Sequence, residues 1–135
     1  MIKKLSHVGI AVANFDSSVA LFSKLFKVDN VPTEEVAGQK VKVAFFNVGG
    51  ASVEVTAATS ADSPIAKFLE KRGEGAHHLS FEVDDIKAEL KRLKSEGFQL
   101  IDEVPRKGAG GYWIAFLHPK STNGVLVEIS QKIEN

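Results

Sequence analysis

Four residues of this chain have the types and spacing to hold a metal ion and move a proton: His7, Glu54, His78 and Glu128. Each histidine sits in an apolar run, Leu5-Ser6-His7-Val8-Gly9-Ile10 and His77-His78-Leu79-Ser80-Phe81. Each glutamate stands between aliphatic residues, Val53-Glu54-Val55 and Val127-Glu128-Ile129. Two imidazole nitrogens and two carboxylate oxygens, with room for water, suit octahedral Ni²⁺, Co²⁺ or Mn²⁺ and also admit Zn²⁺. Carboxylates at such a site can also serve as general acids and bases. Taken singly, each residue has an ordinary explanation. A histidine in a strand is commonly a hydrogen-bonded structural residue, and a glutamate between two valines is commonly the wet face of a sheet. The argument for chemistry rests on their recurrence.

The elements that carry these residues occur twice. With His7 set on His78, an offset of 71 residues, Phe15, Val19 and Phe22 fall on Ile86, Leu90 and Leu93. That spacing is one apolar face of an amphipathic helix. Asp16 is the capping candidate for the first helix, and Asp84 or Asp85 for the second. Strand-like sequence follows each helix: Val41 to Val48 and Ala51 to Thr56 around Gly49-Gly50, then Leu100-Ile101, Tyr112 to Leu117 and Val125 to Ile129. Between the halves, Asp62 or Ser63 followed by Pro64 opens a helix through about Arg72. Strand alternation puts Val8, Ile10 and Val12 on the face that packs under a helix and His7 on the other. The same alternation turns His78, Glu54 and Glu128 away from the helices, while His77 falls on the helix side.

The expected fold is therefore α+β: two tandem βαβββ modules pairing edge to edge into a curved mixed sheet around a metal site. We expect one domain over residues 1–135, with module one at about 1–57, a connecting helix at about 62–73 and module two at about 76–131. Lys plus Arg (17) equals Asp plus Glu (17), so no global field favours nucleic acid or an anionic membrane. The absence of cysteine excludes a disulfide scaffold and a thiolate metal site. No apolar stretch approaches the roughly 20 residues that span a bilayer. Lys3 and Lys4 before Ala11-Val12-Ala13 faintly suggest a signal peptide, but the run is short, His7 interrupts it, and the pattern recurs inside the chain. A cytoplasmic location is expected, with a homodimer the commonest assembly on base rates.

The paired segments, with histidine in H-V-G-I-A-V and H-L-S-F-E-V and glutamate in V-E-V and V-E-I, resemble the vicinal oxygen chelate superfamily of glyoxalases, bleomycin resistance proteins and dioxygenases. Within it the chain is similar to the methylmalonyl-CoA epimerases over almost its full length. Asp62-Ser63-Pro64-Ile65-Ala66-Lys67-Phe68-Leu69, Gly108-Ala109-Gly110-Gly111 and His118-Pro119-Lys120-Ser121-Thr122 carry that likeness. The resemblance implies one divalent ion on His7, Glu54, His78 and Glu128. It also implies a thioester substrate whose C2 proton is removed and returned through a metal-stabilised enolate.

One departure matters. Some epimerases carry Gln at the position of Glu54 and a separate catalytic Glu on the neighbouring strand, where this chain has Val43. Glu54 and Glu128 are then the expected acid–base pair. A set with two ligand carboxylates also resembles glyoxalase I (lactoylglutathione lyase), the alternative enzyme. Non-catalytic ligand-binding relatives lack this donor set, and extradiol dioxygenases leave the position of Glu54 empty. Lys120 and Ser121 are candidates for contacting a substrate phosphate or carboxylate. Gly108 to Gly111 reads as a lid or as a plain flexible connection. Tyr112 and Trp113 are expected to pack near the trough or at a subunit contact.

Overall fold

The computed structural model describes residues 1–134, arranged as βαβββ, a connecting helix, and βαβββ again. The eight strands are β1 (Ile2–Ala11), β2 (Thr33–Val36), β3 (Val41–Val48), β4 (Ala51–Ala58), β5 (Gly75–Val83), β6 (Arg106–Lys107), β7 (Tyr112–Leu117) and β8 (Val127–Lys132). The helices are α1 (Phe15–Phe26), α2 (Pro64–Arg72) and α3 (Ile86–Ser95). The chain forms two compact units. His7–His77 makes one, and Met1–Ser6 joins the chain from His78 onward in the other. Strand β1 thus contributes to both.

In the His7–His77 unit the strand order is β2-β3-β4-β1. β1 runs parallel to β4 with Gly9 opposite Glu54, and the β3–β4 pair is antiparallel with Phe45 opposite Glu54. Gly49 and Gly50, both at positive φ, make the two-residue turn between β3 and β4. Such turns match strand twist only with left-handed backbone, which glycine adopts freely. Helix α1 is capped by the Asn14 side chain, which accepts the Ser17 N–H at 2.9 Å. Asp16, the expected cap, lies in the first helical turn, where its charge favours the helix dipole. Phe15, Val19, Phe22 and Phe26 lay one stripe against Val12, Ala44, Phe46, Val55 and Ala57. Phe26 and Phe46 stand 5.5 Å apart, ring centre to ring centre. Helix α2 begins as the sequence suggests, with Ser63 accepting the Ile65 N–H and Pro64 in the first turn.

The second unit repeats this plan in the order β1-β5-β8-β7-β6. β5 runs parallel to β8 with Ser80 opposite Glu128, and the antiparallel β7–β8 pair sets Phe116 opposite Glu128. Asp85 caps α3 by accepting the Ala88 N–H at 3.1 Å. Ile86, Leu90 and Leu93 close over Val83, Ala115, Leu117 and Ile129.

Three elements differ from expectation. Leu100 forms only an isolated bridge to Leu117, and the strand lies at Arg106–Lys107, after Pro105. β8 starts at Val127 rather than Val125, because Val125 is held in a turn by its N–H to the Thr122 carbonyl. Strand β2, Thr-Glu-Glu-Val, carries no apolar alternation, and although the βαβββ plan calls for a strand here, the sequence pattern does not place it. The glycine segment is tied into a hairpin: Gly108 donates to the Tyr112 carbonyl at 2.9 Å. A Cβ on Gly108 would lie 2.8 Å from the Ile114 side chain, so this close approach requires glycine.

Candidate metal and catalytic site

Each unit brings one histidine to one glutamate. β1 and β4, paired in parallel, carry His7 and Glu54 on the face opposite α1, with His7 Nδ1 3.2 Å from Glu54 Oε2. β5 and β8 repeat the arrangement, with His78 Nε2 3.8 Å from Glu128 Oε1. His77, one residue away, turns to the other side and packs edge-on against Phe68 of α2, 4.9 Å between ring centres.

The wet-face explanation of these glutamates fails on burial. Glu54 is 8% exposed and Glu128 3%, although a solvated strand face would leave both largely open. Their neighbours on the same faces are polar and buried too: Thr56 beside Glu54, and Ser80 with Ser130 beside Glu128. The Ser80 and Ser130 hydroxyls lie 3.3 Å apart, and Ser130 also donates to the Phe81 carbonyl. Buried polar groups persist only when hydrogen-bonded or otherwise compensated. Each unit therefore holds an imidazole–carboxylate pair shielded from water among other buried polar groups, and one buried oxygen of Glu128, Oε2, accepts no hydrogen bond. Such a pair either orients one group by the other or supplies ligands to a cation.

Fit to a divalent metal can be judged from the donors. Buried carboxylate and neutral imidazole are what borderline divalent ions select, and a carboxylate kept from water gains most from a neighbouring cation. The donor set fits.

The other predicted residues lie elsewhere. His118-Pro119-Lys120-Ser121 forms a single 3₁₀ turn whose first residue accepts the Lys120 N–H on its Nδ1. The Ser121 hydroxyl accepts the Gln99 N–H at 2.7 Å and so ties the turn to the segment after α3. Lys120 and Ser121 line a surface pocket of about 360 Å³ with Glu96, Gly97, Phe98 and Gln99, and neither His78 nor Glu128 is in its wall. Val43 is buried on β3 opposite Thr56, so this position offers an aliphatic wall and no base. Tyr112 donates to Glu82 at 3.3 Å, whereas Trp113 packs against the α3 core. Two further residues on the Glu128 face were overlooked: Phe116, edge-on to His78 at 5.5 Å, and Arg106 over the Phe116 ring at 5.8 Å. Strand alternation from Glu128 across β7 would have found Phe116. Arg106 was hidden because its strand was misplaced.

Residues 6–116 match the model of the glyoxalase/bleomycin resistance protein/dioxygenase superfamily. The chain belongs to this superfamily. An uncharacterised Bacillus subtilis protein, YqjC, is 41% identical over 95% of this chain and 91% of its own length. The mitochondrial methylmalonyl-CoA epimerase of Dictyostelium discoideum is 40% identical over 97% of this chain and 80% of its own. The crystal structure of methylmalonyl-CoA epimerase from Mycobacterium tuberculosis superimposes with a TM-score of 0.92 at 35% identity, covering 98% of this chain and 90% of that one. The mixed α+β arrangement of eight strands and three α-helices is that of the superfamily. Among the described residues, no helix is long and apolar enough to cross a membrane.

Proposed function

We propose that this chain is a metal-dependent methylmalonyl-CoA epimerase that moves the proton on C2 between the two faces of the acyl thioester. The observation that carries the reading is a buried glutamate beside a histidine in each unit, on equivalent strands. Its support from outside is a relative named for this activity that is 40% identical across nearly the whole chain.

Epimerisation asks for a base on one side of a carbon and an acid on the other. Glu54 and Glu128, one from each repeat, are the two carboxylates assigned to those roles. His7, Glu54, His78 and Glu128 are assigned to hold one divalent ion, Co²⁺, Ni²⁺, Mn²⁺ or Zn²⁺. When bound, the ion supplies Lewis acidity that favours negative charge on the thioester oxygen. Burial does the rest. Excluding bulk water around the two glutamates keeps the abstracted proton within reach of the substrate. Lys120 is assigned to a phosphate or carboxylate of the thioester, with Ser121 holding its turn. The reading includes a cytoplasmic enzyme acting as a homodimer.

Glyoxalase I remains the alternative, because the same four donors serve it equally well. The protein stripped of metal and resupplied with Co²⁺, Ni²⁺, Mn²⁺ or Zn²⁺ in turn should exchange the C2 hydrogen of methylmalonyl-CoA for deuterium, with inversion. No exchange with any ion would end the epimerase reading. Turnover of the methylglyoxal–glutathione hemithioacetal instead would establish the alternative.

A further inference from the structure

One cation stands on the same strand face as Glu128 and His78, and the assignments above give it no role. β6 pairs with β7 so that Arg106 lies opposite Ile114, and β7 pairs with β8 so that Ile114 lies opposite Ser130 and Phe116 opposite Glu128. Directly paired residues point to the same side of a sheet, so Arg106, Phe116, Ser130 and Glu128 share one face. The Arg106 guanidinium is 5.8 Å from the centre of the Phe116 ring, and that ring meets His78 edge-on at 5.5 Å.

Its setting holds it in place. Asp102 accepts the Phe116 N–H on Oδ2 at 2.9 Å, which fixes the carboxylate. Its other oxygen lies 3.4 Å from Arg106 Nε. That contact takes the guanidinium at its Nε corner, and the ring beneath supports its flat face. The two terminal nitrogens form the fork that binds carboxylate or phosphate with two parallel hydrogen bonds. The Arg106 side chain is 42% exposed, so an incoming oxyanion can reach it. The other repeat has no counterpart. There β2 pairs with β3 so that Glu34 lies opposite Val43, and Val43 lies opposite Thr56, which makes Glu34 the positional equivalent of Arg106. A structural stitch common to both repeats would not reverse its charge.

From this we infer that Arg106 is a specificity residue that docks an oxyanion of the thioester substrate beside the His78–Glu128 pair. This rests on the proposed function for the substrate class. The oxyanion is either the free carboxylate of the acyl group or a phosphate of its carrier. Lys107, the next residue, points to the opposite face over Trp113 at 6.0 Å and serves as the control.

Calorimetric binding to the Co²⁺-supplied protein tests the assignment with malonyl-CoA, propionyl-CoA, which lacks the carboxylate, and malonyl-pantetheine, which lacks the diphosphate. If Arg106 reads the carboxylate, Arg106→Gln weakens malonyl-CoA and malonyl-pantetheine about 10- to 100-fold and leaves propionyl-CoA unchanged. If it reads phosphate, both CoA esters weaken and malonyl-pantetheine does not. Either way Arg106→Lys recovers part of the loss and Lys107→Gln has no effect. Unchanged binding of all three ligands, or an equal loss for all three, overturns the inference. Proton exchange in the wild type is scored separately. Arg106-dependent binding without exchange would count against the epimerase and not against the docking role. Exchange with Arg106-independent binding would do the reverse.

Discussion

In the His7–His77 unit the histidine meets its glutamate through Nδ1 at 3.2 Å, and in the other unit through Nε2 at 3.8 Å. The strands, their pairing and the face are the same in both. The helix sides have drifted much further apart. Helix α1 presents phenylalanines, and none of its residues is fully buried, with Leu21 and Leu25 open to solvent. Helix α3 presents Ile86, Leu90 and Leu93 and buries all three. A repeat can change which apolar side chains fill its core provided volume and pattern are kept. The polar face has no such freedom if both halves contribute to one reaction, and its residue types have held at His7 and His78 and at Glu54 and Glu128.

The widest test of that symmetry is catalytic. Glu128→Gln and Glu54→Gln should each lower deuterium exchange at C2 by roughly 10²- to 10⁴-fold, the usual worth of a positioned acid or base. Near-normal turnover in Glu54→Gln, with Glu128→Gln dead, would break the equivalence and remove Glu54 from the acid–base pair. The helix contrast comes next. Leu90→Ala in α3 should cost about 2–5 kcal/mol in urea denaturation, as large-to-small changes in a closed core do. Leu21→Ala in α1 should stay within about 0.5 kcal/mol. Equal costs would mean that Leu90 is no better packed than the solvent-facing Leu21.

The smallest effect separates the helices by pH. Glu89 of α3 is buried and hydrogen-bonded by Arg92, whose Nε lies 2.8 Å from its carboxylate. That bond holds the Glu89 carboxyl below its ordinary value of 4.5. The folded state then binds a proton less readily than the unfolded one. The stabilisation is present in full above the ordinary value and is lost as pH falls through the depressed one. Glu89→Gln should cost about 1–3 kcal/mol at neutral pH and flatten the acid limb of the stability curve. An unchanged acid limb would show that the Glu89 contacts, to Arg92 and to the Met1 amine, contribute nothing.

How much of this was legible beforehand depends on what each pattern encodes. A constant offset through His7 and His78 and on through both helices carried the repeat, because strand and helix periodicities change together in both copies. Alternation told which residues share a face with Glu54 and Glu128. It could not tell whether that face is covered, which depends on residues distant in sequence. Asp16 looked as good a cap as Asn14, since both side chains can accept a backbone N–H. Only the backbone geometry before Phe15 decides. Leu100 and Ile101 looked like a strand by composition, yet the register set by the Gly108 turn places pairing at Arg106 and Lys107. β2 escaped because an edge strand of exposed polar residues has no apolar rhythm to detect.

Strand β1 belongs to both units, and that sharing dictates an order of assembly. The His7–His77 unit draws on one continuous stretch of chain and can close as soon as that stretch exists. The other must bring residues 1–6 back to partners such as Asp84, whose carboxylate contacts Met1 at a separation of 83 residues. Contacts so far apart in sequence are slow to form, because the intervening loop must lose its entropy before they give anything back. Folding of the intervening unit shortens that loop. The residues at the head of the chain are thus among the last to find their final neighbours, whereas the His78–Glu128 pair, drawn from one continuous stretch, does not wait for them.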